Sequence, residues 1–277
     1  MKIWLAMAAC VAGLAGGGAA TAAEVIIHDA AMRVTVIPEA RSDVSVETVR
    51  SNPRFHITFT RIGDDISIDG GLGLRPRHCG GFFGRPGIVV WGIGRVPYEA
   101  LPQLVIRTPM DVKVRARDAV YGVIGRAASA ELDNAGCGDW KLANIAGPAR
   151  VRVAGSGDVR AASAGSAEVR ISGSSDVTFN NIRGGLTSAV SGSGNLRAAS
   201  VNGPMRVRVA GSGDVIAHGG QVTDMQVSVA GSGDVRFGGV AQNLQASVAG
   251  SGDVSVGKVM GSVTRHVAGS GTVTVGS

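Results

Sequence analysis

In the second half of the chain apolar residues take alternate positions in short runs, and the runs recur at a fixed interval. Met205, Val207 and Val209 are followed by Met225, Val227 and Val229, and then by Leu244, Ala246 and Val248. A second set of runs begins with Val159 and Ala161 and continues through Val215 and Ala217, Val235 and Phe237, Val254 and Val256, and Val273 and Val275. Period-two alternation predicts strands with one buried face. A third inward slot is predicted at Ile145, Ala164, Ile182, Val201, Val240 and Val259. The two sets are joined by the phrase Ala-Gly-Ser-Gly-Asp-Val, found at Ala154–Val159, Ala210–Val215, Ala230–Val235 and Ala249–Val254. Degenerate copies bring the closing polar residues to Asp139, Asp158, Asp176, Asn195, Asp214, Asp234, Asp253 and Thr272, at spacings of 19, 18, 19, 19, 20, 19 and 19. So regular a period predicts an all-β solenoid, a parallel β-helix with turns of about 19 residues. Each turn is expected to hold three short strands and a Gly-Ser-Gly corner. Sandwiches and propellers require other spacings.

The corners have a mechanical explanation. Glycine supplies positive φ at a sharp bend, and an Asx or Ser side chain hydrogen-bonds nearby backbone. Asn195 and Thr272 replace aspartate without its charge but keep an acceptor oxygen, which favours a corner hydrogen bond over catalysis. Stacked aspartates at the ~4.8 Å spacing of neighbouring strands repel one another unless solvent, a cation or backbone amides relieve them. Calcium at the corners is left open, although the Gly-Gly-x-Gly-x-Asp nonapeptide of calcium-binding β-rolls is absent. No metal site or cofactor is predicted.

Met1–Ala23 carries one lysine, an apolar stretch from Ile3 to Leu14 and small residues at Ala20–Ala23, the pattern of a signal peptide cleaved near Ala22 or Ala23. A lipoprotein anchor at Cys10 is the weaker reading, because the apolar core ahead of it is short. No other stretch approaches the ~20 apolar residues of a membrane-spanning helix. The expected location is therefore the periplasm, the cell surface or the medium. The domain boundaries expected are a signal at 1–23 and one β-helix domain at 24–277, with irregular turns to 117 and regular repeats from 118.

Export leaves Cys79 and Cys137. In an oxidising compartment the pair reads as a disulfide, whereas Cys137 also stands where Ser156, Ser212, Ser232 and Ser251 stand in other turns and reads equally as a serine substitute. The formal charge of +6 becomes +5 once Lys2 is removed, and the excess is mostly arginine. Arginine pairs bidentately with carboxylate and phosphate, which suits an anionic envelope polysaccharide or an acidic protein partner. Nucleic acid is not expected for an exported chain. One outward slot holds Lys141, Arg160, Arg197 and Arg236, a broken basic row. The competing reading is that these residues only keep an exposed sheet soluble and block edge pairing.

Before the repeats, strand-like alternation persists at Met32–Ile37, Asp43–Glu47, His56–Thr60 and Asp65–Asp69. The stretch Gly70–Gly87 is the one long loop, and it gathers Arg75, Arg77, His78, Cys79, Phe82, Phe83 and Arg85. Loops of this length are usually functional or mobile, so its arginines, His78 and the two phenylalanines are candidate ligand contacts. Beyond Trp140 the only aromatics are Phe179 and Phe237, both in inward slots, so the regular face offers no ring for a sugar to stack on.

Catalytic motifs are weak. Gly252–Val259 opens like a phosphate loop but has Val259 where a hydroxyl must hold magnesium, and no Gly-x-Ser-x-Gly, His-Glu-x-x-His or Cys-x-x-Cys occurs. Asp214, His218, Asp234 and Arg236 could imitate the carboxylate cleft of a β-helical polysaccharide hydrolase or lyase. Their identity with the repeat consensus argues against it, so no catalytic residue is predicted.

The corners, together with Leu101-Pro-Gln-Leu-Val-Ile-Arg-Thr-Pro109 and Asp111-Val-Lys-Val-Arg115, give the chain a resemblance to the head GIN domain family, a domain family of unknown function named for auto-transporter adhesin heads. The resemblance spans roughly Ala31 to Val275. It implies an exported bacterial protein, a right-handed single-stranded β-helix and no established enzyme activity. The sequence stops at Thr272–Ser277 inside a repeat, without the barrel strands of an auto-transporter. Its last layer is expected to be covered by a second copy or another protein. The functional expectation is a non-catalytic envelope binding or adhesion module, with a periplasmic scaffold for protein partners as the alternative.

Overall fold

The computed structural model describes residues 23–73, 77–79 and 87–276, with only the backbone described at Arg77 and His78. It is a β-solenoid of about nine stacked turns repeating at about 19 residues. A typical turn gives one strand to each of two parallel ladders. In the first ladder Pro148–Gly155 pairs with Ser166–Gly173, which pairs with Leu186–Gly192. In the second, Val159–Ala164 pairs with Val177–Ile182 and then Leu196–Val201. The expected third strand is a short continuation of the second, since Ala164, Ile182 and Val201 lie at the ends of those strands and are buried.

The inward slots from Met205 to Val256 are buried as alternation requires, because a pleated strand puts alternate side chains on opposite faces. One slot differs. Val240 is exposed and Ala241 points inward instead, in register with Val222 and Val259. The additional residue at His218–Gln221, followed by Gly238-Gly239, shifts the phase locally. Size alternation fills the solenoid: Leu142, Ala161, Phe179, Ala198, Ala217, Phe237 and Val256 stack in one column. Gly122 lies beside Trp140, and a Cβ there would overlap the indole.

The first layers are out of chain order. Strands β1 (Glu24–His28) and β2 (Ala31–Pro38) form the second layer. The chain next forms β3 (Ser45–Arg50), β4 (Thr58–Ile62) and β5 (Asp65–Asp69). It passes through β6 (Arg77–Cys79), β7 (Gly87–Val90), β8 (Gly94–Pro97) and β9 (Gln103–Thr108) before β10 (Asp111–Ile124). β5 pairs with β1, and β9 with β2, on the side away from β10, so the outermost parallel layer is made of later residues. β3 and β4 then pair antiparallel on that layer. Regular turns begin with β10, at Asp111.

β6, β7 and β8 form a separate antiparallel sheet. Thus Arg77–Cys79, expected within a loop, is a strand. The sheet closes a second core in which Phe55, Leu72, Ile88, Val90, Val96 and Leu101 are buried.

Candidate binding surface

The corner residues form one continuous hydrogen-bonded column. Each side-chain Oδ1 accepts the backbone N–H of the corner residue one turn on: Asp139 from Asp158 (3.0 Å), Asp158 from Asp176 (3.0 Å), Asp176 from Asn195 (3.2 Å) and Asn195 from Asp214 (2.9 Å). The column continues from Asp214 to Asp234 and from Asp234 to Asp253, both at 2.9 Å, and ends where Asp253 accepts both the N–H (2.8 Å) and the hydroxyl (2.7 Å) of Thr272. These amides, with added donors from side chains, relieve the stacked carboxylates. From Gly155 onward the glycine opening each corner has positive φ, for example +130° at Gly211. At the corner of β10 this task falls to Asp118 (φ 73°), and between β1 and β2 to Asp29 (φ 49°), since aspartate tolerates the left-handed region better than most residues.

The predicted basic row is largely neutralised by the same column. Arg160 meets Asp158 at 3.3 Å, Arg197 meets Asp176 at 2.9 Å and Arg236 meets Asp234 at 2.6 Å. The Lys141 side chain makes no hydrogen bond or ion pair among the described residues. The carboxylates of Asp214 and Asp234, in the arrangement that imitates a hydrolase cleft, are likewise engaged in rung-to-rung bonds.

Of the loop candidates, Arg75, Phe82, Phe83 and Arg85 lie outside the described residues, and Arg77 and His78 have their backbone in β6. Cys79 and Cys137 are joined by a disulfide, with Cα atoms 5.9 Å apart. It ties the β6–β8 sheet to the solenoid corner that closes at Asp139. Nearby, Tyr98 and Tyr121 meet edge to face at 5.2 Å and Arg33 stacks over the Tyr98 ring, while Trp91 in the β7–β8 turn is 74% exposed. Burial, with Asp139 and Tyr98 nearby, pushes the Tyr121 hydroxyl above its ordinary range.

Residues distant in sequence also gather His28, Asp29 and Asp69, whose ligand atoms lie within 4.8 Å of one another. They are already occupied with neighbours: His28 contacts Asp29 (3.3 Å) and Ser67 (3.2 Å), and Asp69 accepts the Gly71 N–H.

The outward side of the first ladder carries closely set charges of both signs. One column across successive layers reads Glu24, Lys113, Glu131, Arg150 and Glu168, and its neighbour reads Arg115, Asp133, Arg152 and Arg170. Arg115 contacts Glu24 (2.6 Å), Arg152 contacts Glu131 (2.6 Å) and Asp133 (3.2 Å), and Arg170 contacts Glu168 (2.6 Å). Sequence reading missed this pattern, because its signal is vertical register and not local spacing.

The later part of the carboxylate column lies in a stretch that is similar to a known family. Residues 187–277 match the family described as "Putative auto-transporter adhesin, head GIN domain". The head GIN match takes in the last turns, and the same corner geometry extends back from it through Asp139. No curated protein matches the chain. Among the described residues no helix is long and apolar enough to cross a membrane.

Proposed function

We propose that this protein is an exported, non-catalytic binding module of the cell envelope, serving adhesion through an anionic polysaccharide. The observation carrying this reading is that the repeated carboxylates, the groups best placed for hydrolysis, are spent on rung-to-rung hydrogen bonds, while the stack presents a long polar face rich in arginine. The head GIN match and the signal-like Met1–Ala23 support it. The test is protease treatment of intact cells beside a periplasmic control. Digestion with the control protected is expected. Protection until the outer membrane is opened would transfer the protein to a periplasmic scaffolding role.

That second reading has one observation of its own. The layer containing Val263–Gly269 exposes Val263 (38%) and Val267 (45%), with Met260 (63%) beside them, an apolar surface suited to a protein partner or a second copy.

A further inference from the structure

We infer that the outer face of the first ladder holds a binding site for a linear polysaccharide carrying carboxylates, formed by Arg170, Arg206 and Arg208 around the short side chains of Thr187 and Ala189. This rests on the reading of the protein as an envelope binding module and assigns that module its contact residues. In the first turns Lys113, Arg115, Arg150 and Arg152 each face a carboxylate one layer away. The alternation then stops. After Glu168 the column continues with Thr187 and Arg206, and after Arg170 with Ala189 and Arg208. Arg170 shares the carboxylate of Glu168 (2.6 Å) with Arg150 (3.3 Å), and Arg206 and Arg208 meet no carboxylate in register in either neighbouring layer. Arg206 donates to the neutral Gln226 at 3.2 Å, and the Arg208 side chain makes no hydrogen bond or ion pair among the described residues.

The chemistry selects the ligand. Clustered, exposed guanidiniums repel one another and are relieved by bound anions, and the guanidinium fork matches a carboxylate. Arg170 and Arg208 are two layers apart, ~9.6 Å at the usual strand spacing, with no long side chain between them. A polymer lying along the solenoid axis meets them with charges recurring at that interval. Beyond Arg208 an open depression lined by Gln226, Ser228, Gln245 and Ser247 supplies amide and hydroxyl partners for sugar hydroxyls. None of the exposed large apolar side chains in the described residues lies beside these arginines in the ladder, so the face lacks the apolar anchors of a protein interface. Nor does it offer a ring for a neutral sugar, so the carboxylates must carry recognition.

The test is calorimetric titration of the purified full chain with polygalacturonate, with neutral dextran and with inorganic polyphosphate. Polygalacturonate binding that weakens with salt is expected, without binding to dextran. Arg170→Gln/Arg208→Gln should lower the affinity about tenfold or more, as loss of charge-assisted hydrogen bonds implies. Arg236→Gln, whose guanidinium is paired with Asp234, should stay within about twofold, and unchanged melting of each variant shows it is folded. Equal effects of the two variants, or no polygalacturonate binding, would overturn the site. Preference for polyphosphate would overturn the carboxylate assignment. Surface display on intact cells is measured separately, so an exposed protein that ignores polygalacturonate defeats this inference and leaves the module reading standing.

Discussion

The carboxylate Oδ1 of Asp214 accepts the backbone N–H of Asp234 at 2.9 Å, one full turn along the solenoid. The side chain thus stands in for a peptide carbonyl at the point where the ladder bends. Asp214→Ala should leave the Asp234 amide without that partner and cost about 1–3 kcal/mol, whereas Asp214→Asn keeps the acceptor and should stay within about 0.5 kcal/mol. Chemical denaturation of the two variants checks the difference.

Acid should loosen the column. Burial opposes charge on Asp176, but hydrogen bonds from Asn195 and Arg197 outweigh it and hold the carboxyl below its usual range. The hydroxyl and N–H of Thr272 hold Asp253 low as well. Groups with lowered folded-state values bind fewer protons when folded, so their contribution is complete above the ordinary aspartate range of about pH 4 and is lost as pH falls through the lower folded values. Melting temperature followed downward from pH 6 should fall most steeply below about pH 4, and less so in Asp176→Asn.

Ser188 occupies an inward slot between Val169 and Val207, is 2% exposed, and its Oγ has no hydrogen-bond partner. Removing the hydroxyl removes a desolvation cost. Ser188→Ala should therefore stabilise the protein by about 1 kcal/mol, measured by urea denaturation.

Gly211 adopts φ +130°, and a Cβ there would lie 2.5 Å from the carbonyl oxygen of Gly192. Gly211→Ala should destabilise by about 1–3 kcal/mol, the cost of backbone strain at such a site. A lowered urea midpoint is the readout.

Reducing the Cys79–Cys137 bond should free the β6–β8 sheet while the stack persists. Limited proteolysis after reduction should cut between residues 70 and 100, with far-ultraviolet dichroism retained. The bond's contribution is expected in the usual range of about 2–4 kcal/mol.

The turns were legible because alternation and a fixed period act within a few residues, and the corner bond was legible because Asn195 and Thr272 share with aspartate only an oxygen. The neutralised basic row was half legible. Asp158 and Arg160, like Asp234 and Arg236, are two residues apart and so on one face of a strand, but Arg197 reaches back a whole turn to Asp176. Vertical relations of this kind have no local signature. The phase error at Val240 arose the same way, since extra residues in a bend are absorbed by pairing with the neighbouring layer.

The displaced order of the first layers has a mechanical consequence. Tension applied at Glu24 would have to draw a strand out from between β5 and β10, breaking two rows of hydrogen bonds together. β1 is thus clamped from both sides, and a load reaching it is shared by two ladders at once.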